Sequence, residues 1–262
     1  MLRRVSTCLC IGALGVAALV LPAVASAAPT VTFKARAVPI PGFPHTGNIL
    51  GAGAAVNFEW TIRGSEYDGH PAPLVGVNTY FPAGTKINPA GFATCSPTVL
   101  KNVGSKACPA KSRATTSGHG LGVVSFGTEV VPEGFTIEGF FAPGGQLQFL
   151  TTGKTPASFE IISSSSKTTA GAPYGPKYVT EVPLVETVPG APDGSAESIA
   201  VVAGSAYKKH GKAQYYGTMP NKCPKGGFPL KSELVFANIS ALPMRVPGEV
   251  VTTTYKAPCP RR

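Results

Sequence analysis

Hydrophobic and polar residues alternate along much of this chain, with the period of two that a half-buried β-strand requires. The clearest case runs Val56-Asn57-Phe58-Glu59-Trp60-Thr61-Ile62-Arg63. It predicts that Phe58, Trp60 and Ile62 are buried and that Glu59, Thr61 and Arg63 face outward. Similar strand signals cover Val31–Val38, Leu74–Phe81, Leu121–Val131, Phe135–Phe141, Leu147–Thr151, Ser158–Ile162, Tyr178–Thr187, Ser198–Ala206, Glu233–Asn238 and Glu249–Tyr255. Pro143-Gly144-Gly145, Pro189 to Gly194 and Lys225-Gly226-Gly227 supply turns between them.

About eleven short strands without intervening amphipathic helices predict an all-β fold. The expected form is an antiparallel β-sandwich (Ig-like or jelly-roll-like) or a barrel. Parallel βαβ folds are disfavoured, because they need crossover helices. One short helix is expected near Asn88–Lys101, limited by Pro97. Ser163-Ser164-Ser165-Ser166 and the run Gly171–Pro176 read as mobile loops, or as a linker dividing two subdomains near 164–177. No internal repeat is visible, so residues 28–262 read as a single domain.

The N-terminus changes the picture of where this domain works. Arg3 and Arg4 precede an almost wholly apolar run from Leu9 to Val24, and Ala25-Ser26-Ala27 follows. That is the pattern of a cleavable signal peptide over residues 1–27. The alternative is a membrane anchor, but a bilayer span needs roughly 20 apolar residues and this run is shorter. Its cysteines, Cys8 and Cys10, precede the position of a lipid-modified cysteine. Cleavage leaves about 235 residues, enough to bury a real core. The 31 glycines and 26 prolines favour turns over long helices. With 43% hydrophobic and only 14% charged residues, the chain does not have the composition of a disordered one.

Four cysteines remain after cleavage: Cys95, Cys108, Cys223 and Cys259. An even number in an exported chain reads as two disulfides. Of three pairings, Cys95–Cys108 and Cys223–Cys259 keep both crosslinks local and are the expected pair. A zinc site is the rival. It would need a CxxC pair or clustered histidines, whereas His45, His70, His119 and His210 are scattered. No metal and no cofactor is expected.

The formal charge of +10 becomes about +8 once the two signal arginines leave. From Gly69 to Thr128 there is no acid, and from Ser198 to Ser232 there is none again; Glu129–Glu197 holds eight acids and three lysines. Opposite faces or ends of opposite sign are expected. An anionic cell-wall polymer or lipid headgroups would fit the basic part. Nucleic acid is excluded by compartment and by the lack of a binding motif.

Phe81-Pro-Ala-Gly-Thr-Lys-Ile-Asn-Pro-Ala-Gly-Phe-Ala-Thr-Cys95, Cys108-Pro-Ala-Lys-Ser-Arg, Phe141-Ala-Pro-Gly-Gly, Cys223-Pro-Lys-Gly-Gly-Phe-Pro and Tyr255-Lys-Ala-Pro-Cys259-Pro together resemble a family of exported, uncharacterised actinobacterial proteins. The resemblance spans roughly Leu74 to the C-terminus. It implies export and an all-β fold, and it brings no activity or catalytic residues.

Candidate chemistry is sparse. There is no Gly-x-Ser-x-Gly elbow and no His-Glu-x-x-His. Ser65-Glu66-Tyr67-Asp68-Gly69-His70 packs a hydroxyl, two carboxylates and an imidazole together, but it reads as a solvated turn. His119 lies between Gly118 and Gly120, where a ligand could approach or where the glycines merely space a strand. Glu129, Glu133, Glu138 and Glu160 could supply the paired carboxylates of sugar hydrolysis. The best candidate binding surface is Lys208, Lys209, Lys212, Tyr215, Tyr216, Lys222 and Lys225, where basic and aromatic residues share loops. Catalytic residues are expected to be none. The resulting expectation is an exported, non-enzymatic cell-envelope or extracellular protein that binds an anionic envelope polymer. A secreted hydrolase with an unrecognised active site is the alternative.

Overall fold

The computed structural model describes residues 28–43, 50–126, 129–188, 191–192 and 194–259. The signal segment, with Cys8 and Cys10, and His45 and Asp193 lie outside the described residues.

The alternating segments form antiparallel strands, as expected. In chain order they are β1 (Thr30–Val38), β2 (Ala55–Arg63), β3 (Leu74–Pro82), β4 (Lys86–Ile87), β5 (Thr115–Phe126), β6 (Glu129–Phe141), β7 (Leu147–Gly153), β8 (Phe159–Thr169) and β9 (Tyr174–Glu181). They continue with β10 (Glu186–Val188), β11 (Ala191–Pro192), β12 (Gly194–Ala203), β13 (Ala206–Lys209), β14 (Lys212–Tyr215), β15 (Gly217–Thr218), β16 (Phe228–Ala237) and β17 (Pro247–Ala257). Eleven of them make one sheet in the order β1-β2-β12-β5-β6-β7-β8-β9-β3-β16-β17. Pairs β10–β11, β13–β14 and β4–β15 are separate ribbons.

The sheet curls until its two edges meet. β17 returns against β1, and the Phe33 and Tyr255 rings meet edge-on at 6.4 Å. The hydrogen-bonded order nonetheless starts at β1 and ends at β17, so the roll is nearly closed. The strands near the two edges also pack through their inner side chains. There Phe33, Phe58, Trp60 and Ile62 pack on Leu230, Leu234 and Phe236. The Trp60 indole N–H donates across the interior to Ser232 Oγ at 2.9 Å. Phe58, Trp60 and Ile62 are buried and Glu59, Thr61 and Arg63 are exposed, as their alternation predicts.

Register shows how the interior is lined. Phe33, Trp60, Ile199, Gly120, Phe135, Gly153 and Phe159 are Cα partners in succession across seven strands. From Ile199 onward, large and small residues alternate on this inner belt. A Cβ on Gly120 would sit 2.2 Å from the Phe135 ring, and one on Gly153 2.2 Å from the Phe159 ring. Both glycines are therefore fixed by rings lying over their backbone. Gly118-His119-Gly120 belongs to β5 itself, not to a spacer ahead of a strand.

Three sequence expectations need correction. The predicted strand Leu121–Val131 spans the connection between β5 and β6. Ser163–Ser166 is not a loop but the middle of β8, with Ser163 and Ser165 buried and facing inward. Alternating serines carry no apolar signal, so the period of two was hidden. Pro97 does not limit the helix; it begins it. Helix α1 (Pro97–Val103) has Pro97 in its first turn, where no N–H is missed, and Ser96 as N-cap accepting from the Val99 N–H at 3.2 Å.

Both expected disulfides form. Cys95–Cys108 has its Cα atoms 5.2 Å apart and Cys223–Cys259 5.9 Å. The first, with Leu100 of α1, covers Phe140 and Leu150 on the outside of β6 and β7. The second joins the residues flanking the β16–β17 pair.

Candidate functional site

Strand direction assigns each connection to one of two ends of the roll. Connections 83–114 and 204–227 share one end. They pack together there through the β4–β15 ribbon, with Asn88 N–H donating to the Tyr216 carbonyl at 2.7 Å. These are the acid-free stretches of the sequence, so Lys86, Lys101, Lys106, Lys111, Lys208, Lys209, Lys212, Lys222 and Lys225 stand exposed at or beside one end. Glu66 and Asp68 lie in the connection after β2, Glu129 and Glu160 at the starts of β6 and β8, Glu181 at the end of β9, and Glu249 near the start of β17. All of these positions belong to the opposite end. The barrel is thus electrically polarised along its axis.

Of the sequence-derived surface, Lys208, Lys209 and Lys212 sit on the β13–β14 hairpin and Lys222 and Lys225 flank Cys223. Tyr215 lies half-buried over Gly53 with its ring against Phe43. Tyr216 does not belong to that surface. Its side chain is 6% exposed and packs with Phe141, Leu147 and Tyr178 inside the basic end. One residue separates solvent from interior here, because the strand period turns adjacent side chains to opposite sides.

The interior beside Tyr216 is not filled. A cavity of about 260 Å³ runs inside the roll, walled by Val56, Phe58, Phe135, Ile137, Phe149 and Ile161 among others. The polar residues on this wall are mostly hydroxyls: Thr79, Thr85, Ser163, Ser165, Tyr178 and Thr180, with Tyr216. Tyr178 and Tyr216 hydrogen-bond through their hydroxyls, and Ser165 Oγ lies 2.8 Å from Thr180 Oγ1. Burial, reinforced by Tyr216, pushes the Tyr178 phenol far above its ordinary value, and burial raises Tyr216 as well. Both phenols are neutral at physiological pH. Thr85 Oγ1 is buried and has no hydrogen-bond partner among the described residues.

Two charged residues occur along the wall. Arg36 is exposed and alternates with the inward Ala35 and Ala37. Glu133 is 2% exposed and accepts from the backbone N–H groups of Lys154 at 3.1 Å and Ala157 at 2.9 Å. That pins the β7–β8 connection.

The protein-family models contain no match to this chain, and neither the curated proteins nor the solved structures give a significant one. Its chemistry has to be read from the geometry alone.

That geometry disperses the other candidates. His119 faces outward on β5, opposite Thr136 and Ala200. His70 lies 3.8 Å from Glu197, in a turn where Glu66 accepts from the Ser65 and Ala72 N–H groups. Glu133 and Glu138 project to opposite faces of β6, because five positions separate them on one strand. Burial tends to raise the Glu138 carboxyl, but hydrogen bonds from Ser105 and Arg113 hold it below its ordinary value. Glu129 and Glu160 are exposed. Among the described residues, no three His, Cys, Asp or Glu side chains group as a metal site, and no helix is long and apolar enough to cross a membrane. Sequence reasoning missed the inward hydroxyls altogether. Ser and Thr on a strand read as solvent-facing, and only the register shows otherwise.

Proposed function

We propose that this protein is an exported, non-enzymatic binding protein that holds a small apolar molecule inside its barrel. The unfilled interior carries this reading. Its wall is mostly apolar, and those side chains lack on that side the contacts a filled core would give them. A core shaped for stability alone would close this space with larger side chains. An engineered apolar cavity of about 150 Å³ stays dry and takes up benzene. Export is supported by the N-terminal apolar segment and by two disulfides, which persist in oxidising compartments. A hydrolase is the reading the geometry supports least, since Glu133 and Glu138 project to opposite faces of β6 and Glu133 is taken up by backbone N–H groups.

A second reading concerns where the protein resides. The exposed lysines at one end favour association with an anionic cell-wall polymer or lipid headgroups, with the acidic end turned away. This reading and the first are compatible, because they use different surfaces. The test of the first is a titration of the mature, disulfide-bonded protein with 1-decanol. One saturable site is expected, with a melting temperature that rises with ligand concentration. Absence of both would overturn it.

A further inference from the structure

We infer that the interior site selects an uncharged molecule of about ten carbons with one hydrogen-bonding oxygen, such as a medium-chain alcohol, and rejects the matching carboxylate. This rests on the reading of the cavity as a ligand site and adds the ligand's size, charge and orientation.

The size follows from the volume. If about 150 Å³ holds benzene, then 260 Å³ takes about ten carbons.

The orientation follows from two unlike walls. The inner belt from Phe33 through Phe135 to Phe159 is apolar and aromatic. On the other wall Tyr178 and Thr79, Cα partners across β9 and β3, begin a row of hydroxyls. Ser165 and Thr180 pair beside this row. Some of these hydroxyls have hydrogen-bonding capacity to spare. In the Tyr178–Tyr216 contact one phenol donates and the other keeps its proton. The Ser165–Thr180 contact leaves a second proton in the same way. Thr85 Oγ1, buried on the cavity wall, has no hydrogen-bond partner among the described residues. A native protein rarely leaves such an atom unsatisfied. A ligand oxygen lodged near the Tyr178–Tyr216 end would complete it, with the alkyl chain against the Phe135 and Phe159 rings.

The charge preference follows from the wall's composition. Arg36 is turned outward, and the buried acidic side chain on this wall, Glu133, offers no cation and is already occupied by the Lys154 and Ala157 N–H groups. A carboxylate would lose its hydration here without meeting a cation, which is the costly arrangement for a buried ion. A neutral oxygen needs only the hydroxyl donors already present.

The experiment is calorimetric titration of the folded protein at pH 8 with 1-decanol, decanoate and decylammonium, each below its aggregation limit. We expect 1-decanol to bind at least ten-fold more tightly than decanoate, which meets no cation, and than decylammonium, because both Glu133 oxygens are already engaged by the Lys154 and Ala157 N–H groups. Thr85→Val keeps the side chain's shape and removes the orphan oxygen. It should weaken 1-decanol about five-fold, the worth of one hydrogen bond, without lowering the melting temperature. Decanoate binding as well as 1-decanol would overturn the charge selection while leaving an apolar site standing. Unchanged 1-decanol affinity in Thr85→Val would overturn the placement of the oxygen. If none of the three binds, the apolar site itself falls.

Discussion

Glu233, on the outer face of β16, shows how much one side chain can gather. Its carboxylate accepts from Lys231 Nζ at 2.8 Å, Tyr80 Oη at 2.7 Å and Asn78 Nδ2 at 3.2 Å. Lys231 Nζ also lies 3.8 Å over the Tyr80 ring. Burial tends to raise the Glu233 pKa, but the hydrogen bonds from Lys231, Tyr80 and Asn78 outweigh it and leave the group below its ordinary 4.5. A carboxyl depressed on folding stabilises the fold above its unfolded pKa, and that contribution is lost as pH falls through the folded value. The same hydrogen bond raises Lys231, whose contribution is complete below its ordinary 10.5 and fades only in more alkaline solution. Glu233→Gln should therefore melt earlier than wild type at pH 7, and the gap should close as pH falls from about 5 to 3. Melting curves that stay parallel across that range would contradict this. The Lys231–Glu233 pairing is legible in the sequence, since residues two apart share a strand face. The Tyr80 contact is not, because more than 150 residues separate Tyr80 from Glu233.

At the scale of elements, the sequence is read well where an apolar face alternates with a charged or polar one, as in β1 and β2. It is misread where consecutive serines fill inward and outward positions alike, as in the middle of β8. The middle of β8, beyond the expected strand Ser158–Ile162, reads as a loop because Ser163 and Ser165 give no apolar beat, although the register places them opposite Phe149 and Leu147. The disulfides were legible because few pairings exist and short loops favour two of them. Their weights differ. Cys95–Cys108 closes 13 residues and Cys223–Cys259 closes 36. Chain entropy alone makes the longer crosslink worth about 1 kcal/mol more. It also ties the last strand, an edge of the sheet, to the start of β16. Replacing Cys223 and Cys259 by Ala should lower the melting temperature more than replacing Cys95 and Cys108. An equal or reversed order would show that the C-terminal edge holds without its clasp.

For the whole molecule, the acid-free stretches in the sequence announce ends of opposite sign, and the topology brings those stretches to one end. Each exposed lysine contributes at most about 1 kcal/mol near an anionic surface, so several must act together. Screening over about 8 Å at physiological salt should make that association salt-sensitive. Changing Lys208, Lys209 and Lys212 to Ser should reduce retention on isolated envelope at low salt. Equal retention of variant and wild type at low and high salt would refute the electrostatic anchor. The cavity, by contrast, was not legible. Alternation tells which side chains point inward, not whether they meet in the middle, and a sheet that closes around eleven strands leaves room that two flat layers would not. Trp60 is the sole tryptophan and lies on the cavity wall, so its emission reports directly on what enters. In a titration with 1-decanol the Trp60 emission of the mature protein should change and saturate at one equivalent. Val201→Phe, which fills the cavity from β12, should weaken that response about ten-fold or more. Emission that stays unchanged up to the solubility limit of the alcohol, in a protein that remains folded, would contradict the account.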